Sequence, residues 1–143
     1  VHGKMLILTF EGSEEEILHR IVSYVSTGTK AVQVIENVRT KLKFDGLEID
    51  VENRLVRKQQ REIDLTFTEF EILYLLANNS GRVFDKEQIY DIVWKEPHSG
   101  DYNIVMSHIH NIREKIEDNP SKPIYIQTVW GVGYRFNPTL IIR

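Results

Sequence analysis

Four polar residues in the C-terminal third, Ser107, His110, Asn111 and Glu114, follow one another at i, i+3, i+4 and i+7. On a helix that spacing stacks them on one face, where they would form a hydrogen-bonding surface. Asn111 is the most informative of the four. A carboxamide holds a donor and an acceptor side by side, a pair that fits the N6/N7 edge of adenine, and few side chains read a base this way. The bland alternative is a solvated asparagine on a free face. Catalysis is poorly served by the same region. The chain has no cysteine, which excludes thiol nucleophiles, disulfides and cysteine zinc sites. His98, Ser99 and Asp101 look like a relay written in a string, but neighbours on one loop cannot point at each other as a relay requires. His108 and His110, two apart on a helix, point about 200° away from each other, so a metal pair there is not expected. No phosphate-cradling loop or metal motif is present in the sequence, and no catalytic residue, cofactor or metal site is expected.

The elements that must position the polar stripe can be read from periodicity. A helix opening at Asp101 and running to Glu117 places Val105, Ile109, Ile112 and Ile116 on one apolar seam and stops at Pro120. Before it, Thr66 and Glu69 stand in capping-box register at the start of a helix that buries Phe70, Leu73 and Leu76 and ends at "NNSG". Asp85 and Gln88 open a second helix that buries Ile89, Ile92 and Val93 and stops before Pro97, leaving "KEPHSG" as a loop. Upstream, "GLEIDVENRLVRKQQREIDLT" alternates apolar residues between Glu-Asn and Gln-Gln turns, the pattern of a small antiparallel meander. Downstream, "PIYIQTV" and "YRF" flank "WGVG", a hairpin whose glycines suit a tight turn. The order sheet, three helices, hairpin predicts an α+β fold: a winged helix-turn-helix with an N-terminal antiparallel sheet and a C-terminal hairpin wing.

Composition agrees with a globular protein. The 143 residues allow one ordinary domain, or one small domain plus an appendage, and 41% apolar with 27% charged residues excludes a disordered tail. No apolar run approaches the ~20 residues needed to span a bilayer, and the N-terminus has no signal-peptide pattern, so a cytoplasmic location without membrane contact is expected. The formal charge of −3 means that any anion-binding face must be local. Residues 1–43 form a short α/β extension: "KMLILTF" as a strand, then a helix in "GSEEEILHRIVSYVSTG" with Ile17, Leu18, Ile21, Val22 and Val25 at helical spacing. "TKAVQVIENVRTKLK" fits a helix through Ala31, Val34, Ile35, Val38 and Leu42, although "AVQVIE" equally fits a strand. The winged-helix domain is expected over residues 44–137, with 138–143 as a tail.

"LTFTEFEILYLLANNSGRVFDKEQIYDIVW", "HIHNIREKI" and "IQTVWGVGYRF" together resemble the DNA-binding effector domain of OmpR/PhoB-type response regulators. The resemblance runs from about Leu47 to Phe136. It implies double-stranded promoter DNA as partner, with the third helix in the major groove, the wing near an adjacent minor groove, and the loop between the second and third helices within reach of RNA polymerase. The DNA-contacting set is then Asn103, Ser107, His108, His110, Asn111, Arg113, Thr128, Trp130 and Arg135, and the polymerase loop offers Lys95, Glu96 and His98. Arg113 stands where the family has a phosphate-binding arginine; an i, i+4 pair with Glu117 is the alternative, and such a pair could also hold the guanidinium in place. His108 aligns with a family histidine near the DNA backbone, a half-buried histidine beside the seam being the equal alternative, and Trp94 is expected in the core. Trp130 replaces an arginine common on family wings, and an indole that lies back on the body of the domain and stiffens the hairpin is the favoured reading. Only residues 1–43 precede the domain and the first aspartate is Asp45. No phosphoacceptor is therefore expected, and a receiver-less regulator is, with a fragment of a longer protein as the competing reading. Acidic residues outnumber Arg113 and Lys115 between Asp101 and Glu117. One copy should therefore bind weakly, which argues for a homodimer on a repeated site, with residues 1–43 as the dimerising or signal-receiving element. The competing reading is a winged-helix protein-interaction module that has lost DNA binding.

Overall fold

A computed structural model describes residues 14–28, 41–95 and 101–142. The chain divides into two compact units, Val1–Val38 and Arg39–Arg143. In the first unit, helix α1 (Glu15–Gly28) begins with two acids, as the positive end of a helix favours. Exposed i, i+4 pairs tie Arg20 to Glu16 and His19 to Glu15. The strand expected in "KMLILTF" lies outside the described residues, as does the stretch 29–40.

The second unit opens with a four-stranded antiparallel meander: β1 (Lys41–Phe44), β2 (Leu47–Asp50), β3 (Leu55–Lys58) and β4 (Arg61–Ile63), in that order. Leu42 faces Ile49 across the first pair, so residues 41–43 are strand and not the end of a helix. Their lysines alternate with apolar residues, a period that a helical count over a longer window averages away. The β3–β4 turn is Gln59-Gln60, both with positive φ, the combination a two-residue hairpin needs to match strand twist. Phe44, Leu47, Ile49 and Val56 from the sheet are buried in the core.

Helices α2 (Phe67–Asn78), α3 (Lys86–Trp94) and α4 (Asn103–Ile116) follow. Both expected capping boxes form: Thr66 with Glu69 and Asp85 with Gln88 exchange side-chain and backbone hydrogen bonds. Helix α4 begins at Asn103, two residues later than its sequence suggests, with Asp101 accepting a bond from the Asn103 amide. Its seam of Val105, Ile109, Ile112 and Ile116 is fully buried. On α3 the buried pair is Ile89 and Tyr90, while Ile92 is 46% exposed. An apolar residue one step off the packing stripe fits a helical pattern yet misses the core.

Two carboxylates fix where α4 lies. Glu69, buried at the start of α2, accepts from Lys115 Nζ at 2.6 and 3.1 Å and from the Thr66 amide at 2.9 Å. Burial raises its pKa, but these hydrogen bonds outweigh burial and hold it below the usual carboxylate value. Glu117, just past the end of α4, accepts from the amides of Ile124, Tyr125 and Ile126. It thereby joins the helix end to β5 (Ile126–Val129), which pairs with β6 (Gly133–Phe136) in the wing.

The two wing glycines answer different needs. Gly131 has φ of 75°, as the turn demands. Gly133 has no such dihedral; a Cβ there would stand 2.1 Å from the Phe84 carbonyl oxygen, because Phe84 and Tyr134 exchange backbone hydrogen bonds at 2.9 Å. Residues 138–142 are not a loose tail. A 3₁₀ turn at Pro138–Leu140 leads back to β1, where Asp45 N donates to Leu140 O and Ile142 N to Lys43 O.

Candidate nucleic-acid interface

With its seam buried, α4 turns Asn103, Ser107, His110, Asn111 and Glu114 to solvent, so the stripe read from spacing is one exposed surface. Met106 and Ile104 border it and are themselves half exposed or nearly so. His110 Nε2 lies 3.8 Å from Glu114 Oε1. His108 sits beside the stripe, half-buried. Its Nδ1 is 2.8 Å from the Ile104 carbonyl oxygen and its ring meets Trp94 edge-on at 5.4 Å. Trp94 in turn stacks on Tyr90 at 4.8 Å, and Tyr90 meets Tyr102 edge-on. This aromatic ladder joins α3 to α4, and it puts Trp94 partly in the core, as expected.

Arg113 does not pair with Glu117, whose carboxylate is taken by backbone amides. Its Nε and Nη2 donate to the Ile126 carbonyl at 3.2 and 2.8 Å, and Nη2 also donates to Thr128 Oγ1 at 2.8 Å. The guanidinium lies over the Tyr134 ring, 5.6 Å from its centroid. Burial pulls its pKa down, against the raising influence of Tyr134 and Glu117, yet an arginine remains charged at any physiological pH. Arg113 thus ties the wing to α4 from within the helix, beside the link that Glu117 makes at the helix end. Thr128 accepts from Arg113, so its hydroxyl hydrogen remains available for donation.

Trp130 does not lie back on the domain. It is 90% exposed at the wing tip, beside Val132 at 57%. Phe84 and Tyr134 already brace the base of the hairpin, and the indole is left over. Arg135 Nε donates to Gln127 Oε1 across the wing. Lys95 is exposed and caps α3 in the left-handed conformation, with φ of 56°. Glu96 and His98 lie outside the described residues. The fold thus brings the α4 residues, Arg113, Thr128 and the wing onto one connected frame. Sequence reasoning missed Glu69, Lys115 and Glu117 as the positioning groups. A signal existed for Glu117: a carboxylate at a helix C-terminus opposes the helix dipole and must be held by something else.

Comparison with known proteins agrees with this frame. A sequence profile described as "Transcriptional regulatory protein, C terminal" matches residues 60–136. The chain belongs to this family, the effector domains of OmpR/PhoB-type transcriptional regulators, which are regulators and not enzymes. Among individual proteins, it is 40% identical over 120 residues to the transcriptional regulatory protein YcbL of Bacillus subtilis, covering 84% of this chain and 53% of YcbL. That alignment is longer than the stretch from Lys41 onward, so it takes in part of the segment that carries α1. The response regulator DrrB of Thermotoga maritima, an OmpR/PhoB homologue, superposes with a TM-score of 0.65 at 33% identity, over 91% of this chain and 55% of DrrB. The DNA-binding domain of Klebsiella pneumoniae RstA, solved in complex with the RstA box, gives 0.64 at 29% identity, over 70% of this chain and 99% of that one. The chain spans about half the length of the curated relatives it matches. Among the described residues, no helix is long and apolar enough to cross a membrane.

Proposed function

We propose that this domain binds promoter DNA sequence-specifically, with α4 in the major groove and the β5–β6 wing against a neighbouring minor groove. The observation that carries the reading is the α4 face itself. Its apolar seam is buried to the last residue while Ser107, His110, Asn111 and Glu114 stand in solvent, held to the wing through Arg113. The RstA domain, similar in fold and 29% identical, has been solved on a DNA box. In this reading Asn111 reads a base, Asn103, Ser107, His108 and His110 contact base edges or backbone, and Thr128, Arg113 and Arg135 meet phosphates. Trp130 packs against the minor groove without charge. Two copies on a repeated site supply the phosphate contacts that one copy lacks. Lys95, Glu96 and His98 belong in this reading to the loop that meets a polymerase subunit, and the working compartment is the cytoplasm.

The test is a fluorescence-anisotropy titration with duplexes selected from a random library. Asn111→Ala should weaken the selected duplex by about 1–3 kcal/mol and relax preference at one base position, leaving binding to random duplex unchanged. Equal loss on both duplexes would remove Asn111 as a base reader. A second reading, a module that docks a protein partner, is favoured by the exposed pair Trp130 and Val132. It requires that Asn111→Ala leave every interaction intact.

A further inference from the structure

Helix α4 carries two permanent cations, Arg113 and Lys115, and neither is free. Lys115 Nζ is held by both oxygens of the buried Glu69, and swinging it to a phosphate would strand that carboxylate. Arg113 commits Nε and Nη2 to the wing. Glu114, on the exposed stripe, repels phosphate. The remaining α4 side chains that can gain positive charge are His108 and His110.

Their geometry suits that task. A carbonyl oxygen only accepts, so the 2.8 Å contact to Ile104 O fixes the hydrogen on His108 Nδ1 and makes Nε2 the atom where a proton comes and goes. His110 Nε2, 3.8 Å from Glu114 Oε1, gains an ion pair when protonated and masks the one acid of the stripe. The packed elements carry charged groups of their own. On α3, Asp85, Glu87 and Asp91 add to burial in raising the Tyr102 phenol at the start of α4. On α2, Glu69 is neutralised by Lys115. On the wing, Arg113 is turned to the Ile126 carbonyl.

We propose that duplex binding takes up protons at His108 and His110, so that the phosphate affinity of the α4 face rises as pH falls through the range where histidine titrates. The inference rests on the DNA-binding reading and deepens it by naming what regulates that site. The sign follows from linkage: DNA phosphates stabilise imidazolium over imidazole, so the bound state holds more protons and acid favours binding. Protonated His108 adds one neutralised phosphate, so the dependence of log affinity on log salt steepens by about 0.9, while protonated His110 offsets Glu114 within the stripe.

The experiment is anisotropy titration of the full chain with a selected duplex at pH 6 and pH 8, at several salt concentrations. Binding should be about fivefold tighter at pH 6 than at pH 8 for each histidine engaged, with the steeper salt slope confined to pH 6. The double variant His108→Gln/His110→Gln should lose both effects. Because His108 also contacts Trp94, the exposed-site variant His110→Gln serves where the double variant fails to fold; it should lose about half of the pH response. Affinity independent of pH in the unaltered chain overturns the proposal, as does a pH response that survives in both variants. Absence of duplex binding at either pH removes the DNA-binding reading itself, a distinct outcome.

Discussion

Glu117→Ala is expected to lower the unfolding free energy by about 3 kcal/mol, read from urea denaturation followed by circular dichroism. The carboxylate is 6% exposed and accepts from three consecutive backbone amides, at 2.7 Å from Ile124, 3.0 Å from Tyr125 and 2.9 Å from Ile126. Tyr125 and Ile126 are buried, so their amides would lose a charged acceptor with little water to replace it. Leaving a buried donor unsatisfied costs about 1–3 kcal/mol, and some relaxation of the 124–126 backbone keeps the total toward the lower end of the possible sum. Glu117→Gln retains one acceptor oxygen and should lose roughly half as much. Equal stability of the alanine variant and the unaltered chain would mean that the joint between α4 and β5 is held by something else.

Arg113→Ala should weaken binding to a selected duplex by about 30- to 100-fold, equivalent to ~2–3 kcal/mol, and lower the salt slope by about 1. Two losses combine. The cation itself disappears, and the wing loses three charge-assisted hydrogen bonds that register Ile126 and Thr128 against the helix. Arg113→Lys separates them. A lysine keeps the charge but has no planar fork to bridge the Ile126 carbonyl and the Thr128 hydroxyl, so the salt slope should recover while most of the affinity does not. Full recovery by lysine would reduce the residue to a point charge.

Much of this frame is legible in the residues because apolar periodicity and caps are local. The seam Val105, Ile109, Ile112 and Ile116 is buried in full, and Thr66 with Glu69 and Asp85 with Gln88 form their capping boxes at the expected helix starts. What failed depends on distance along the chain. Arg113 and Glu117 look like an i, i+4 pair, but their partners lie 7 to 15 residues downstream, in β5 and the two residues before it, whose position only the fold supplies. Trp130 was expected to pack because indoles usually do. The hairpin base is already filled by Phe84 and Tyr134, so no surface remains for it. Ile92 fits the α3 pattern and misses the core because the stripe that meets α4 runs through Ile89, Tyr90 and Trp94. Residues 41–43 and 138–142 pair with other segments, which no local period announces.

The most direct test of the central claim is to titrate the ¹⁵N-labelled chain with a selected duplex and follow backbone, Asn side-chain and indole N–H signals. The account predicts that Ser107, His110, the Asn111 carboxamide and the Trp130 indole shift together, while strands β1 to β4 stay still. Shifts gathered on the sheet or on α1, with the α4 stripe silent at saturation, would contradict it.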